Sequence, residues 1–569
     1  MCGLCGLAVR DALISLLGFD VSSLVEYMGF GEDIPKHSGS EESLGFIKTH
    51  VERCVSEHNC GGEDGKLLPL LPDRVIWVQA NTPSRIQLVE TKGTFRAKYI
   101  ALSYCWGPVS ANTYLTDIES LPSRKAGISY DDLPPLLQDV VTCARALGIE
   151  YLWVDRLCIV QGPGGDFATQ APKMGEIYGN ASLTIAAATG TSENDRILVE
   201  RSVQGAGPYT LDLKLEGMGT LAVKIRRRTH RLGTEDHGGD YGRVSTRAWI
   251  WQERLLSSRT VFFTPSALKF ECHRHSTWQG YSQNIFGHSW STEIDLTSIS
   301  LNSWLRLVAE FMQRNITHPS DRLPAIESVM RHITSRTGWT PFWGVFEEHL
   351  IPSLAWSAQS RAATSGKYPC RMNPAHYVPT WSWASVDGEI TYLHALTDGA
   401  YAPLTMIDPK TYEVTAKNLN RATGAVTLVG RYVIGGITCT IEPNEQFSGT
   451  EDSRMGRYTH DYKVRVSGQH PDFLLDPDVA LMPHEGDPAQ PYTASVVRVP
   501  YGREYPMESW TGNCLVLLVA TQKKKSLALV LGQSLRDPAG GWERIGLATG
   551  IEMAVWGEEH VKRGAVTVV

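Results

Sequence analysis

The chain has 569 residues, of which 42% are hydrophobic and 20% are charged, and its formal net charge is -7 at pH 7. At about 100–200 residues per domain, this length predicts three or four folding units rather than one core. A mildly acidic chain without a block of Lys and Arg argues against a nucleic-acid-binding protein. No apolar run approaches the roughly 20 residues that span a bilayer. The 11 cysteines have irregular spacing, which favours reduced thiols in the cytoplasm over a disulfide framework.

The residue pattern changes three times along the chain and predicts four segments. The first has an apolar helix-like stretch, a polar segment around Gly61–Gly65, and strand-like runs at Arg74–Ala80 and Arg85–Glu90. The predicted segments are a helical and strand lead-in at 1–95, an α/β domain at 96–275, a helical, Trp-rich extension packing on that domain at 276–395, and a β-rich region at 396–569.

The α/β segment begins with a compact apolar run at Tyr99–Cys105, which predicts a buried strand. Apolar residues then recur at helical spacing from Leu133 to Leu147, and Gly148 suits the end of this helix. The next apolar run, Tyr151–Val160, predicts a second strand with Asp155 and Arg156 at its middle.

Four more elements follow in alternation. We predict helices at Lys173–Asn180 and Thr246–Leu256, and strands at Leu183–Ala188 and Thr260–Thr264. Alternating strands and helices with short connections predict a parallel sheet with crossover helices. Ligands of such sheets tend to bind at the carboxyl ends of the strands.

Three segments in this order resemble one fungal family. They are YIALSYCWG (Tyr99–Gly107), YLWVDRLCIVQ (Tyr151–Gln161) and TRAWIWQERLLSSRTVFF (Thr246–Phe263), and they resemble the heterokaryon incompatibility (HET) domain. Two further segments, Leu133–Val141 and Met174–Ala187, occupy the family's expected places. With its flanking signals the resemblance covers roughly residues 50 to 390. The chain departs from the family at Gly162–Gly165, where acidic residues usually follow.

HET domains are considered distant relatives of the TIR domain, and two local features are similar to it. The TIR fold opens with a strand that ends in a Ser-Tyr pair, as Ser103 and Tyr104 do here. Enzymatic TIR domains carry a helix with a Trp four residues before the Glu that serves NAD cleavage. Trp249 and Glu253 stand at that spacing. The resemblance therefore implies a TIR-like core with NAD as the candidate substrate, and no firm cofactor.

Glu253 is the first catalytic candidate, because a carboxylate can stabilise the oxocarbenium character that develops when a ribosyl bond breaks. The structural alternative is an ion pair with a neighbouring arginine, Arg247, Arg254 or Arg259. Asp155 is the second candidate. It is either paired, with Arg247 or Arg156, or protrudes at a strand end into a cleft. The resemblance implies that the substrate site is lined by Ser103, Tyr104, Trp106, Trp249 and Arg247.

Most of the cysteines considered have a structural rather than a functional interpretation. Cys105 and Cys158 have no nearby basic partner in sequence and are interpreted as packing residues. Cys54, His58 and Cys60 suit zinc, with Cys2 or Cys5 completing the set, but this spacing is loose. We therefore predict no metal site.

Three functions remain open at this stage. The first is a protein of heterokaryon incompatibility (non-self recognition) and programmed cell death that acts through NAD glycohydrolase-like cleavage. The second is a non-catalytic module that self-associates or binds an incompatibility partner. The third is an accessory protein or enzyme of a secondary-metabolite gene cluster, for which no residue indicates a substrate. Protein partners are expected, and neither nucleic acid nor a membrane span is.

Overall fold

A computed structural model describes residues 33–58, 60, 68–78, 84–108, 114–188, 190–201, 209–215, 219–225, 244–265, 267–280, 299–358, 370–372, 378–397, 400–403, 411–443, 458–466, 470–484, 495–499, 506, 508–522, 524–534, 537 and 540–569. The chain forms two compact units, Met1–Asp295 and Leu296–Val569. The finer division into four segments stays a prediction. The apolar N-terminal stretch, Cys2, Cys5 and Gly61–Gly65 lie outside the described residues.

The helices of the first unit are mostly short. They are α1 (Glu41–Arg53), α2 (Leu121–Ala126), α3 (Pro135–Ala146), α4 (Asp155–Cys158), α5 (Phe167–Gln170), α6 (Met174–Asn180) and α7 (Ala248–Leu256). A π-helical turn at Cys54–His58 continues α1. Two 3-10 turns occupy Tyr130–Asp132 and Ala171–Lys173.

Eleven strands are described in the same unit. They are β1 (Arg74–Trp77), β2 (Arg85–Glu90), β3 (Tyr99–Ser103), β4 (Ile128–Ser129), β5 (Tyr151–Trp153), β6 (Leu183–Ala186), β7 (Tyr209–Leu215), β8 (Gly219–Ile225), β9 (Arg259–Phe263), β10 (Leu268–Cys272) and β11 (His275–Trp278). Strands β7 and β8 pair only with each other among the described residues. The other nine form one sheet.

That sheet has a parallel centre and antiparallel flanks. Its strand order is β11-β10-β9-β6-β3-β5-β1-β2-β4. The four neighbours β9, β6, β3 and β5 run parallel. On either side, β10 and β11 and then β1, β2 and β4 add antiparallel. The α/β class is therefore confirmed, but a purely parallel sheet is wrong for the flanks.

The centre of the sheet follows from its apolar sequence. All five residues of β3 are buried, as expected for a strand covered on both faces. Helix α3 buries one apolar face against this layer and begins at Pro135, where the missing amide proton has no helical partner to lose. It ends before Gly148, whose φ of +69° suits a residue without a side chain.

One predicted element is wrong in the part that matters for the site. The apolar run Tyr151–Val160 is not a single strand: β5 stops at Trp153, and α4 begins at Asp155. Asp155 starts this helical turn by accepting a hydrogen bond at Oδ1 from the backbone amide of Arg156, at 2.7 Å. A short buried helix and a buried strand show the same unbroken apolar run.

The second unit combines three helices with many strands. The helices are α8 (Leu301–Phe311), α9 (Pro324–Thr337) and α10 (Leu350–Ser353), with 3-10 turns at Pro319–Asp321, Glu347–His349, Trp383–Ser385 and Met553–Gly557. No helix among the described residues is long and apolar enough to cross a membrane.

The β-rich character predicted for the end of the chain is confirmed. The strands are β12 (Pro341–Phe342), β13 (Val345–Phe346), β14 (Ser357–Ala358), β15 (Cys370–Met372), β16 (Val386–Gly388), β17 (Ile390–Thr391), β18 (Leu393–Thr397), β19 (Ala400–Pro403), β20 (Thr415–Leu419), β21 (Val426–Pro443), β22 (Tyr458–Arg465), β23 (Phe473–Leu474), β24 (Asp476–Pro477), β25 (Leu481–His484), β26 (Ser495–Arg498), β27 (Trp510–Gln522), β28 (Lys525–Gln533), β29 (Trp542–Glu552) and β30 (Lys562–Val568).

Eleven of these strands form one sheet around an apolar core. The long strand β21 pairs with β30 through its first half and with β27 through its second. In turn, β30 pairs with β29, β29 with β28, and β28 with β27. Together with β21 these strands form a closed circuit, so none of the five has a free edge.

Candidate functional site

The topology of the first unit defines one crevice. From β3 the chain crosses to β5 on one side, whereas from β6 it crosses to β9 on the other side. Adjacent strands whose connections leave in opposite directions mark the switch point where α/β sheets bind ligands, at their carboxyl ends. The crevice between the ends of β3 and β6 is therefore the place to look for a site.

The predicted site residues come together there from three elements. Ser103 is the last residue of β3, and Tyr104 and Trp106 follow it directly. Asp155 follows the end of β5, the neighbour of β3. Helix α7 carries Trp249 and Glu253, and Arg247 lies at its N-cap. Residues 150 positions apart thus share one corner of the sheet.

Glu253 is buried, with 4% of its surface exposed. The hydroxyls of Ser103 and Tyr178 lie within hydrogen-bonding reach of its carboxyl group. Burial raises the pKa of Glu253 to about 8, aided by the nearby charge of Asp155 and opposed by Ser103, Arg247 and Tyr178. At neutral pH the group is therefore mainly a neutral acid that can donate a hydrogen bond.

The arginines around Glu253 have different roles. Arg254 does not pair with Glu253 but binds Glu271 of β10, with Nη2 at 3.0 Å from Oε2. Arg259 donates to the carbonyl oxygen of Ser182 at 3.3 Å. Arg247 remains the cation of the site: its charge acts on both Glu253 and Asp155, and its Nη1 donates to the carbonyl oxygen of Tyr104 at 3.5 Å.

Asp155 is held from both of its carboxylate oxygens. In addition to the Arg156 amide, the indole Nε1 of Trp106 donates to Oδ2 at 2.6 Å. Burial raises the pKa of Asp155, and the two hydrogen bonds and the charge of Arg247 oppose this. Asp155 therefore lies at the end of a strand, which was one of the two predicted alternatives. The charge of Arg247 acts on Asp155 as well as on Glu253.

Arg156 does not pair with Asp155, contrary to one of our predictions. Its Nη1 lies 2.6 Å from Oε2 of Glu193, and only 1% of the arginine is exposed. Its guanidinium also lies 4.5 Å from the centroid of the Trp106 ring, a cation–π geometry. Arg156 and Glu193 therefore fix Trp106, which in turn holds Asp155.

The remaining candidates differ in exposure. The Trp249 ring is partly exposed and meets Phe167 edge-on at 6.1 Å. Tyr104 is buried, and its hydroxyl has no hydrogen-bond partner among the described residues. Oε2 of Glu253 also has no hydrogen-bond partner among the described residues. Such buried polar atoms are uncommon and call for an explanation.

A small cavity lies beside Ser103 in the same crevice. Its walls include Ala186 of β6, Ile250 of α7 and Phe262 of β9. It holds about one water molecule and no larger ligand. Glu253 itself does not line this cavity and is buried beside it.

Two contributors were not predicted. Tyr178 of α6 lies within reach of Glu253 and donates its hydroxyl proton to the carbonyl oxygen of Leu102 at 3.0 Å. Glu193 lies beyond β6 in a polar segment. No local spacing marks either residue, since both reach the site through the fold. Only the segment Met174–Ala187, which resembles the family, contained a signal for Tyr178.

A separate cluster of four metal-ligand side chains lies away from this crevice. It contains the predicted trio Cys54, His58 and Cys60, and its fourth member is Cys272 rather than Cys2 or Cys5. Our prediction of no metal site did not foresee this residue. Cys105 and Cys158 are buried, in keeping with their interpretation as packing residues.

The raised pKa of Glu253 leads to a prediction on stability. The unfolded chain releases this proton near pH 4.5 and the folded chain near pH 8, so a rise in pH over that window favours unfolding. In this window the free energy of unfolding of the wild type should fall by up to about 1.4 kcal/mol per pH unit. We expect Glu253→Gln to remove this fall. Urea titrations between pH 5 and 8 measure this slope. Glu176→Gln, at an exposed position of α6, should leave it unchanged.

Comparison with known proteins agrees with the motif order. Residues 99–253 match the model of the family described as heterokaryon incompatibility protein (HET). No curated protein and no solved structure matches the chain. The TIR-like resemblance therefore stays a prediction. The matched range begins at the first residue of β3 and ends at Glu253, so it contains every site residue predicted from the sequence. Residues 99–253 of this chain are a HET domain, which indicates a role in heterokaryon incompatibility.

Proposed function

We propose that this chain is an effector of non-self recognition and cell death, and that its Glu253 site cleaves NAD between nicotinamide and ribose. The supporting observation is that the buried carboxyl of Glu253 and the partly buried carboxyl of Asp155 share the cation Arg247 at the switch point of the sheet. Buried acids with raised pKa values are typical of functional sites.

The reaction needs one carboxylate and one water. The C1′–N bond breaks and its electron pair leaves with nicotinamide, while the Glu253 carboxylate stabilises the positive charge on the ribose. The oxygen of water then bonds to C1′ and its proton is released, so the products are nicotinamide, ADP-ribose and one proton. The nicotinamide cation favours the ionised form of Glu253, because an opposite charge nearby lowers the pKa of a carboxyl group.

The burial of Glu253 suits a protein that waits for a trigger. With 4% of its surface exposed, Glu253 is not accessible to a dinucleotide in this arrangement. Turnover therefore requires the elements around Ser103 and Glu253 to separate, and the resting protein should be slow. Trp249, with its partly exposed ring, is placed to stack on a base or on nicotinamide once the crevice opens.

The test combines chemistry with a cellular outcome. We expect nicotinamide release by the full-length protein to fall by about 100-fold or more in Glu253→Gln, which keeps the size of the side chain and removes its charge. Glu176→Gln, exposed on α6, is the matched control and should retain wild-type turnover and killing. The same variants expressed in a fungal host report cell death.

A second candidate function rests on the burial of Glu253. If the buried acids only stabilise the fold, the HET domain acts through self-association or a protein partner. Glu253→Gln that folds normally and still kills the host would favour this function and contradict NAD cleavage. Loss of killing in Glu253→Gln, with killing retained in the Glu176→Gln control, would favour the enzyme.

A further inference from the structure

Three thiols and one imidazole lie close together although the residues that carry them are far apart in the sequence. Cys54 and His58 lie on the π-helical turn after α1, Cys60 follows two residues later, and Cys272 is the last residue of β10. Their ligand atoms all lie within 4.8 Å of one another. Nδ1 of His58 is 3.3 Å from Sγ of Cys272.

We propose that Cys54, His58, Cys60 and Cys272 bind one structural zinc ion. Three thiolates and one imidazole are a common ligand set for tetrahedral zinc. With Zn–S near 2.3 Å and Zn–N near 2.0 Å, the ligand atoms of a tetrahedron lie about 3.5–3.8 Å apart. The observed spread needs only small side-chain shifts to reach this. All four positions are filled by protein, which is typical of a structural site and leaves no open position for catalysis.

The charges around the cluster fit a bound zinc. Three thiolates and Zn²⁺ carry a net charge of -1, and the buried guanidinium of Arg259 lies beside Cys54 to offset it.

A disulfide accounts for the cluster less well. It would use two of the thiols and leave the third beside His58 without a role. Cys105, Cys143 and Cys158, the other cysteines described in the first unit, are not members of this cluster. Convergence of every potential ligand on one point is what a metal ion requires.

The ion would attach the lead-in to the sheet. Helix α1 buries Ser43 and Ile47 and packs Leu44, Phe46 and Val51 partly against the core of the domain, so the ion would reinforce an existing apolar contact. Beyond the cluster, the lead-in is held by hydrogen bonds such as that from Nε2 of Gln279 to Oγ of Ser43 at 3.1 Å. Zinc bonds between Cys54 and Cys272 would close a loop of more than two hundred residues, which restricts the unfolded chain strongly.

The test begins with the full-length wild type, purified with a reductant from zinc-containing medium. We expect one zinc per chain by elemental analysis, and a fall of about 5 °C or more in Tm when a strong chelator removes it. Cobalt added to the stripped protein should give the visible bands of a tetrahedral ion and thiolate charge-transfer absorption. A reduced wild-type protein without zinc and without these cobalt bands would overturn the proposal.

Variants then assign the ligands. Cys272→Ala should lose tightly bound zinc, whereas Cys143→Ala, in the buried face of α3, should retain one zinc per chain. Cys272→Ala that folds and keeps a full equivalent of zinc would remove Cys272 from the site and overturn the assignment. If Cys272→Ala proves insoluble, the cobalt spectrum of the wild type decides, since it requires no variant. None of these measurements depends on NAD cleavage.

Discussion

Replacing Arg544 by Met should lower the free energy of unfolding of the second unit by about 3–5 kcal/mol, the loss expected when one partner of a buried ion pair is removed. Arg544 and Asp478 both have 0% of their side chains exposed. Nε and Nη2 of the arginine bind the two carboxylate oxygens at 2.8 and 3.0 Å. Arg544→Met leaves the carboxylate of Asp478 buried with no compensating cation.

Arg544 also satisfies backbone groups and packs on an aromatic ring. It donates to the carbonyl oxygens of Leu354 and Trp356, and its guanidinium lies 3.6 Å from the centroid of the Trp356 ring. Arg544 thereby connects β29 to the chain that leaves α10. Since these acceptors also lose their donor, adding Asp478→Leu to Arg544→Met should recover only part of the lost stability.

The measurement is urea unfolding of the full-length protein, followed by tryptophan fluorescence and calorimetry. Arg465→Met is the matched control, because Arg465 makes a similar two-point contact with Asp472 but 68% of its side chain is exposed. It should change stability by less than about 1 kcal/mol. Equal losses in the two variants would show that burial is not the source of the effect.

Arg156→Met should destabilise the first unit by a similar amount, about 3–5 kcal/mol. It leaves Glu193, with 7% exposure, as an unpaired buried charge. It also removes the cation from the face of Trp106, so the hydrogen bond from Trp106 to Asp155 should weaken. Near-UV circular dichroism reports the altered environment of this indole.

A second substitution tests the cause. Adding Glu193→Gln to Arg156→Met neutralises the orphaned carboxylate, and the double variant should be more stable than Arg156→Met alone. Lys125→Met is the control, since its ion pair with Glu90 is 43% and 30% exposed at the two side chains. A double variant no more stable than the single one would contradict a buried-charge explanation.

The local elements of the first unit were largely predictable from the sequence, because apolar spacing determines them. The strand Arg85–Glu90 has the predicted bounds, and the helix predicted at Lys173–Asn180 begins one residue later. Asp155 was misplaced because an unbroken apolar run fits a buried strand and a buried turn equally well. The backbone hydrogen bonds from Cys158 to Val154 and from Ile159 to Asp155 show that a helical turn begins there.

The residues of the crevice could be predicted from the sequence, but their ion-pair partners could not. Glu253, Asp155 and Ser103 were chosen from motif order, and the fold brings them together. The partners of the nearby arginines depend on tertiary structure: Arg156 takes Glu193, and Arg254 takes Glu271. The same holds for Cys272, whose sequence distance from Cys54 left no indication that it belongs to the proposed zinc site.

Glu253 and Arg254 are neighbours on α7 and face different surroundings, which limits how this helix can move. Arg254 and Lys269 bind Glu271, and they lower the pKa of this buried carboxyl to about 2 despite the opposing effect of burial. The helix is thus pinned against rotation about its own axis. If the proposed trigger opens the crevice, a motion that carries α7 and β10 together would keep this ion pair, whereas rotation of the helix alone would break it.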